Sequence, residues 1–399
     1  MRERLSPWTL LLAGAAAAPA TGSPLALLTG GKSAGHVFPA LAVGDALRER
    51  GWRLAYAGLA DSMEERLAGS RGIEFHRIAA RPLVGRGILE RIRALLTALR
   101  EGLAARSLVR RLGACVIVAT GGFVSVPAVL GGWLARRAVV LLEPNAEPGA
   151  ANRLLSRFAD FAALGHAAAA TGLRCRSAVT GVPVRREFAG VADLRVTDLE
   201  RSTGGPVRLL VLGGSQGAAR LNAVLPRALA ALRRGVLRVE VLHQTGAANL
   251  AATADAYREL FSEQGESCFE RAGVSIELTP FVDDVTAAVA SCHLVISRSG
   301  AITLAELCAA GRGALLVPLR LAGGHQLANA RALAEAGAAV VVEDAGSEFG
   351  ERLADELWAL LESPDRLVEM GRSARTLGAP RAAAEIADHI ERLAGRVAA

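Results

Sequence analysis

The sequence predicts an α/β protein of two doubly wound, Rossmann-like domains, each built on a parallel sheet. Short apolar runs alternate with amphipathic helical patterns along the chain, the rhythm of βαβ units with helices on both sheet faces. That rhythm restarts near residue 207 with a second strand, glycine loop and helix. The length of 399 residues suits two domains. Binding is therefore expected at the carboxyl ends of the strands and in a cleft between the domains.

The elements follow in order. Leu25–Leu28 reads as a short buried strand, Gly30–His36 as a glycine-rich turn, Pro39–Arg50 as an amphipathic helix and Arg53–Ala57 as a second strand. Ile88–Arg111 is a long helix, and Cys115–Ala119 and Ala138–Leu142 are further strands. Leu112–Ala135 carries no charge and has bilayer-spanning length, but its glycines, Pro127, Thr120 and Ser125 favour strand, glycine loop and buried helix. Asp193–Gly205 is polar and reads as a linker. The second half offers strands at Val207–Leu212, Val239–Gln244, Ser275–Leu278, Leu294–Ser297 and Gly313–Val317, with a helix at Ala219–Ala231. The first residues combine Arg2, Arg4 and an apolar, alanine-rich run. This looks like a secretory signal or anchor, and is expected to be a dispensable extension over residues 1–22.

Composition narrows the function. Hydrophobic residues at 51% and charged residues at 21% exclude wholesale disorder. The net charge of +7 suits a partner that presents phosphate or acidic lipid. Aromatics at 4% argue against a stacking platform for single-stranded nucleic acid, and no nucleic-acid partner is expected. Five scattered cysteines without C-x-x-C spacing exclude a zinc ribbon and suggest free thiols in a reducing compartment.

Three segments carry chemistry. Gly30-Gly31-Lys32-Ser33-Ala34-Gly35-His36 ends like a P-loop, but Ala26 stands where that motif needs glycine. The loop still aims backbone N–H groups from a helix start, where anions bind. His36 titrates near neutrality and reads equally as a catalytic base or as a helix-start histidine bonded to the loop. Lys32 is the only lysine in the chain. Gly213-Gly-Ser-Gln-Gly-Ala218 is not G-x-G-x-x-G, and no acidic residue ends the next strand, which disfavours a dinucleotide dehydrogenase. The third segment joins Pro280–Asp284, Ser297–Glu306 and Gly323–Asn329. Thr303 is placed to help cap the helix carrying Glu306, whose carboxylate could accept from both hydroxyls of a ribose or simply face solvent.

These segments, with Gly121-Gly-Phe-Val-Ser-Val-Pro127, Glu143-Pro-Asn-Ala-Glu-Pro-Gly149 and Gly181-Val-Pro-Val-Arg185, occur in one order. In that order the chain resembles the MurG family, bacterial transferases that convert lipid I to lipid II. They move N-acetylglucosamine from UDP-N-acetylglucosamine to undecaprenyl-pyrophosphoryl-N-acetylmuramyl-pentapeptide. The resemblance spans about Leu25 to Ala345. It implies the two-domain GT-B architecture: an acceptor- and membrane-binding domain over 23–190, a UDP-sugar domain over 191–365, and a helical tail over 366–399 packing back on the first domain. It implies inverting transfer with no cofactor and no obligatory metal, and the sequence has no Asp-x-Asp. The diphosphate would be met by helix N-termini and arginine.

Carried over residue by residue, the resemblance places Val282 and Ile302 at the uracil and Glu306 at the ribose. Ser215, Arg185 and the turn Ala301, Ile302, Thr303, Leu304, Ala305 would face the diphosphate. Gln326 and Asn145 would touch the sugar, and Ser33, Ala34 and Gly35 would line the cleft. His36 would be the general base, with Glu143 as a second candidate or a partner orienting the acceptor. The departures lie on the acceptor side: Lys32 and Ala34 replace glycines, Ser33 replaces threonine, and Leu142 and Pro144 replace histidine and glutamine. They keep open a related GT-B transferase or UDP-sugar epimerase, or a non-catalytic UDP-sugar-binding scaffold. Arg81, Arg86, Arg91 and Arg93 interleave with Leu83, Val84, Ile88 and Leu89, a pattern suited to an anionic leaflet. The expected location is peripheral, on the cytoplasmic face of the inner membrane, with other cell-wall synthesis proteins as further partners.

Overall fold

The computed structural model describes residues 22–31, 33–81, 88–191, 205–214, 217–232, 238–265, 267–319 and 324–398. The chain divides into two compact units. Unit 1 comprises residues 1–144, 148–180 and 382–399, and unit 2 comprises 145–147 and 181–381.

Unit 1 is a seven-stranded sheet of β1 (Leu25–Thr29), β2 (Arg53–Gly58), β3 (Glu74–Arg77), β4 (Ala114–Ala119), β5 (Ala138–Glu143), β6 (Phe161–Leu164) and β7 (Arg176–Val179). The spatial order is β3-β2-β1-β4-β5-β6-β7, and every pairing is parallel. Alternate strand residues serve opposite faces, as the pleat requires. Leu25, Leu27, Ile117 and Leu141 pack with α3 (Ile88–Leu112) and α4 (Ser125–Leu134). Ala26, Leu28, Val118 and Val140 pack with Val37, Leu41 and Leu47 of α1 (Ala34–Glu49). The shorter α2 (Met63–Ser70) and α5 (Ala150–Leu155) connect strands.

Unit 2 opens with α6 (Arg186–Gly190), β8 (Val207–Leu212), α7 (Ala219–Ala230), β9 (Val239–Gln244) and α8 (Leu250–Arg258). Then come β10 (Ser262–Gly265), β11 (Cys268–Arg271), β12 (Val274–Thr279), α9 (Val285–Ser291), β13 (Leu294–Ser297) and α10 (Ala301–Ala310). It closes with β14 (Gly313–Leu316), α11 (His325–Glu335), β15 (Ala339–Val341), α12 (Phe349–Leu361) and α13 (Pro364–Leu377). The sheet order is β10-β11-β12-β9-β8-β13-β14-β15, antiparallel only at β10-β11 and β11-β12. In both sheets the order reverses beside the first strand of the unit, which puts the switch points after β1 and β4 and after β8 and β13.

The structure departs from the sequence reading in definite places. Helix α1 starts at Ala34, five residues before the expected Pro39, and holds Pro39 inside it. Its start puts His36 in the first helical turn, because Ser33 already has the extended backbone of a cap. The strands β3, β6, β7 and β15 and the hairpin β10-β11 are additions. Each strand is three or four residues long, and Ser262–Gly265 is exposed throughout, so no apolar alternation marks it. The chain passes between the two units at Pro144/Asn145, Glu147/Pro148, Thr180/Gly181 and Arg381/Ala382. Helix α13 packs on α10 and β14, while α14 (Ala382–Ala398) adds Ile386, Ala387 and Ile390 to the α1 face of unit 1. Residues 1–21 and most of the Asp193–Gly205 linker lie outside the described residues.

Candidate active site

In unit 1, the loops after β1 and β4 meet over His36. Gly30 approaches Thr120 so closely that a Cβ there would sit 1.8 Å from its hydroxyl oxygen. Gly121 and Gly122 both adopt left-handed backbone, with φ of 85° and 72°. A Cβ on Gly122 would lie 3.7 Å from His36 Nε2, so this turn passes beside the imidazole. On the other ring edge Nδ1 is 2.8 Å from Ser33 Oγ. When Nδ1–H donates to that hydroxyl, Nε2 keeps a free lone pair. Burial lowers the His36 pKa below its ordinary 6.5, and Glu143 and then Glu64 oppose the shift. The N-terminal end of α1 acts in the same direction as burial, since it disfavours a cation.

Glu143 ends β5 and is 2% exposed. Its Oε2 accepts from Gly149 N–H and from Asn152 Nδ2, each at 2.9 Å. Asn152 Nδ2 also donates to the Leu142 carbonyl at 3.0 Å, which fixes the amide. Glu64, wholly buried on α2, fills the space that a side chain on Gly31 would need. Unit 1 thus sets one imidazole among buried carboxylates at a switch point. Of the residues expected to line the site, Ser33 is exposed, Ala34 and Gly35 form the half-buried first turn of α1, and Lys32 lies outside the described residues.

In unit 2, Gly217 needs to be glycine: its φ is 74°, and a Cβ would sit 2.1 Å from the Thr245 carbonyl oxygen. Gln244 Nε2 donates to the Gly214 carbonyl at 2.9 Å and pins the same loop. Ser215 lies outside the described residues. At the neighbouring switch-point loop, α10 begins at Gly300 with no side-chain cap, no acidic residue in its first turn, and open space around Gly300. The capping expected of Thr303 is absent, which leaves the first-turn N–H groups without a side-chain cap. Ala301 and Thr303 are half-buried there, and Ile302 and Leu304 are buried.

Glu306, one turn further along α10, is buried, and its Oε1 is 2.7 Å from Arg185 Nε. Burial raises the Glu306 pKa, with Arg185 opposing and Glu187 adding. The Arg185 guanidinium also lies 4.8 Å over the Phe188 ring. Two residues expected at different parts of the donor are therefore one ion pair. Val282 is buried just before Asp284, whose carboxylate caps α9 by accepting from Ala287 N–H at 2.9 Å. Gln326 lies in the first turn of α11: its Oε1 accepts from Leu319 N–H at 3.0 Å, and its carbonyl accepts from Ser299 Oγ at 2.7 Å. Asn145, in the short segment that clusters with unit 2, accepts from Asn329 Nδ2 at 3.1 Å.

Sequence reasoning gave no role to Asn152, Glu64 or Asn329. The available signal was a polar residue at a helix position that is otherwise apolar, which is weak without the fold. Among the described residues, no group of three or more His, Cys, Asp or Glu gathers as a metal site would need.

Comparison with known proteins fits this geometry. The N-terminal domain model of glycosyltransferase family 28 matches residues 25–164, and its C-terminal domain model matches 208–392. A UDP-N-acetylglucosamine–N-acetylmuramyl-(pentapeptide) pyrophosphoryl-undecaprenol N-acetylglucosamine transferase of Xanthomonas campestris pv. campestris strain B100 is 39% identical over 379 residues, covering 95% of this chain and 84% of the relative. One from Sorangium cellulosum is 40% identical over 374 residues, covering 92% and 88%. The crystal structure of Acinetobacter baumannii MurG superposes with a TM-score of 0.76 at 28% identity, covering 93% of this chain and 99% of that one. A UDP-GlcNAc 2-epimerase from Neisseria meningitidis shares the fold alone, with a TM-score of 0.59 at 12% identity. Two GT-B domains with strand-end loops of this kind, matched along nearly their whole length, place the chain in glycosyltransferase family 28, in the MurG family of N-acetylglucosamine transferases.

Proposed function

We propose that this chain transfers N-acetylglucosamine from UDP-N-acetylglucosamine to the lipid-linked N-acetylmuramyl-pentapeptide, converting lipid I to lipid II in peptidoglycan synthesis. The observation that carries the chemistry is His36 at the unit 1 switch point, held at Nδ1 by Ser33, with Nε2 on the glycine-turn side and the buried Glu143 nearby. Nε2 takes the proton of the acceptor hydroxyl as that oxygen attacks the anomeric carbon. The bond from that carbon to UDP breaks on the opposite face, so the configuration inverts and UDP leaves. Glu143 stabilises the imidazolium that forms, and Asn152 and Gly149 hold Glu143.

On the donor side, the open N-terminus of α10 and the N-terminus of α7, which also has no side-chain cap and no acidic residue in its first turn, receive the diphosphate together with Arg185 and Ser215. Glu306 accepts the ribose hydroxyls while keeping Arg185 in place. Val282 and Ile302 pack on the uracil, and Gln326 and Asn145 contact the sugar. The retained His36, Glu143 and Glu306 favour this reading over a binding-only scaffold.

The lipid acceptor brings the enzyme to a membrane. No helix among the described residues is long and apolar enough to cross one. Leu96, Leu99 and Leu103 on α3 are 61%, 54% and 57% exposed and share one helix face by their spacing, with Arg93 exposed one turn before them and Arg100 exposed among them. This stripe suits the boundary of an anionic leaflet, on the cytoplasmic side where the donor nucleotide is found. Of the expected basic patch, Arg81 and Arg93 are exposed and flank Glu90, while Arg86, Leu83 and Val84 lie outside the described residues.

The experiment is UDP release with UDP-N-acetylglucosamine and a lipid I analogue. Acceptor-dependent release is expected, with kcat lowered roughly 10²–10⁴-fold in His36→Ala while calorimetric donor affinity holds. Donor binding without release would leave the scaffold reading, and acceptor-independent conversion of the donor would leave the epimerase.

A further inference from the structure

Unit 2 contains a buried charged group that the donor contacts named above do not use. Asp344 follows β15, and its side chain is 6% exposed. Its Oδ1 lies 2.9 Å from Arg220 Nε, and its Oδ2 lies 2.9 Å from Arg298 Nη1. The two arginines follow different switch-point strands, β8 and β13. Arg220 sits in the first turn of α7, directly after the Gly213–Ala218 loop. Arg298 follows β13 and precedes Ser299-Gly300, the entry to α10.

Each partner is held by further contacts. Arg220 Nη2 donates to the Gly346 carbonyl at 2.8 Å, and its guanidinium lies 5.5 Å from the Phe349 ring centroid. Arg298 Nη1 also donates to the Val317 carbonyl at 3.0 Å. The turn that presents Asp344 is fixed from α12, where Arg352 Nη2 donates to the carbonyls of Glu343 and Ala345 at 3.1 and 2.7 Å. Among the described residues Oδ1 makes no hydrogen bond, so its contact with Arg220 is an ion pair alone, but the carboxylate is shielded from water between two cations whose stems are held by other contacts, and it acts as an electrostatic joint.

We propose that Asp344 is a positioning residue for the sugar nucleotide: its carboxylate ties the start of α7 to the entry of α10 and so sets the spacing of the two helix N-termini that receive the diphosphate. The inference rests on the donor reading given above. Two N-termini grip one diphosphate only if their separation matches it, and a joint fixed before binding spares the ligand the cost of ordering the loops. The cluster keeps a net charge of +1, from two arginines and one aspartate, so it also leaves a positive field at that edge of the sheet.

Charge and position can be separated by sign. Asp344→Asn is nearly isosteric and adds one positive charge, whereas Arg220→Gln removes one. Arg220 is 51% exposed at its side chain, so its loss leaves a folded protein. If the cluster acts only through its field, the two variants shift affinity for UDP-N-acetylglucosamine and for UDP in opposite directions. If Asp344 positions the loops, both weaken binding, by roughly five- to twenty-fold in calorimetry on the full chain. KM for the donor then rises by a similar factor while kcat at saturating donor stays within about twofold. Opposite shifts, or unchanged affinity in variants whose only defect is a lower Tm, would overturn the proposal. Failure of the unmodified protein to bind either nucleotide would instead remove the donor reading beneath it.

Discussion

His36 is tuned by three local influences of opposite sign. Burial lowers its pKa most, while Glu143 and Glu64 raise it in part. As the proposed base, His36 must be neutral to accept a proton, so kcat should fall as pH drops through a value below the ordinary 6.5 of histidine. Glu143→Gln removes one raising influence, and an amide oxygen can still accept from Asn152 and Gly149. The acid limb of the pH–kcat profile should therefore move to lower pH. The plateau should drop by roughly 10–100-fold, because the imidazolium loses a counter-charge in the transition state. A limb that stays put or moves upward would detach Glu143 from His36. At this scale the sequence offers the candidates that stand in a recognisable segment: His36, Glu143 and Glu306. Asn152 meets Glu143 only nine residues away, across the turn between β5 and α5, whereas Glu64 beside Gly31 and Asp344 act through partners far away in sequence. Asp344 meets Arg220 more than a hundred residues earlier, and no local pattern encodes that meeting.

Elements that follow hydrophobic periodicity were legible, and those set by backbone detail were not. Helix α3 runs almost as expected because its apolar repeat is long, whereas the start of α1 depends on the extended backbone of Ser33 more than on Pro39. Short strands such as β10 carry too few apolar residues to be told from a loop. Helix α3 also carries more apolar surface than its packing needs. It buries Ala94, Ala98, Ala105, Leu108 and Val109, yet exposes Leu96, Leu99 and Leu103 on another face. Placing Asp at Leu99 should leave the fold intact, since the side chain is already in water. It should weaken binding to vesicles containing anionic lipid by roughly tenfold or more, because a charge would enter the interface where a leucine would. Co-sedimentation at low and high salt separates the contributions: arginines lose force with salt and leucines do not. Vesicle binding unaffected by Leu99→Asp would take the membrane away from α3.

Across the whole molecule, the restart of the βαβ rhythm made the two-domain plan readable, because each unit repeats strand, glycine loop and helix. What the rhythm could not give, and only the family resemblance implied, was the path of the last helix. After 181–381 have formed unit 2, α14 returns to unit 1 and closes the sheet face that α1 only partly covers. Helix α14 is amphipathic, but an amphipathic helix does not name the sheet it will cover. Its docking has a polar rim as well as a core: Arg50 pairs with Asp388 and Glu391 at 2.6 and 2.8 Å, and Phe161 stacks on His389 at 4.3 Å between ring centroids. The rim pairs are partly exposed, so the apolar contact should dominate. Ile390 is fully buried within that contact, beside Ile386 and Ala387. Ile390→Ala should cost unit 1 about 2–5 kcal/mol, the usual range for emptying a buried isoleucine site. Arg50→Ala should cost at most about 1 kcal/mol. Unit 1 is discontinuous in sequence, so its loss of stability should appear in denaturant unfolding as an earlier transition followed by tryptophans 52 and 133, both of which belong to unit 1. An Ile390→Ala variant that unfolds at the same denaturant concentration as the parent would mean that α14 contributes no stability to that sheet.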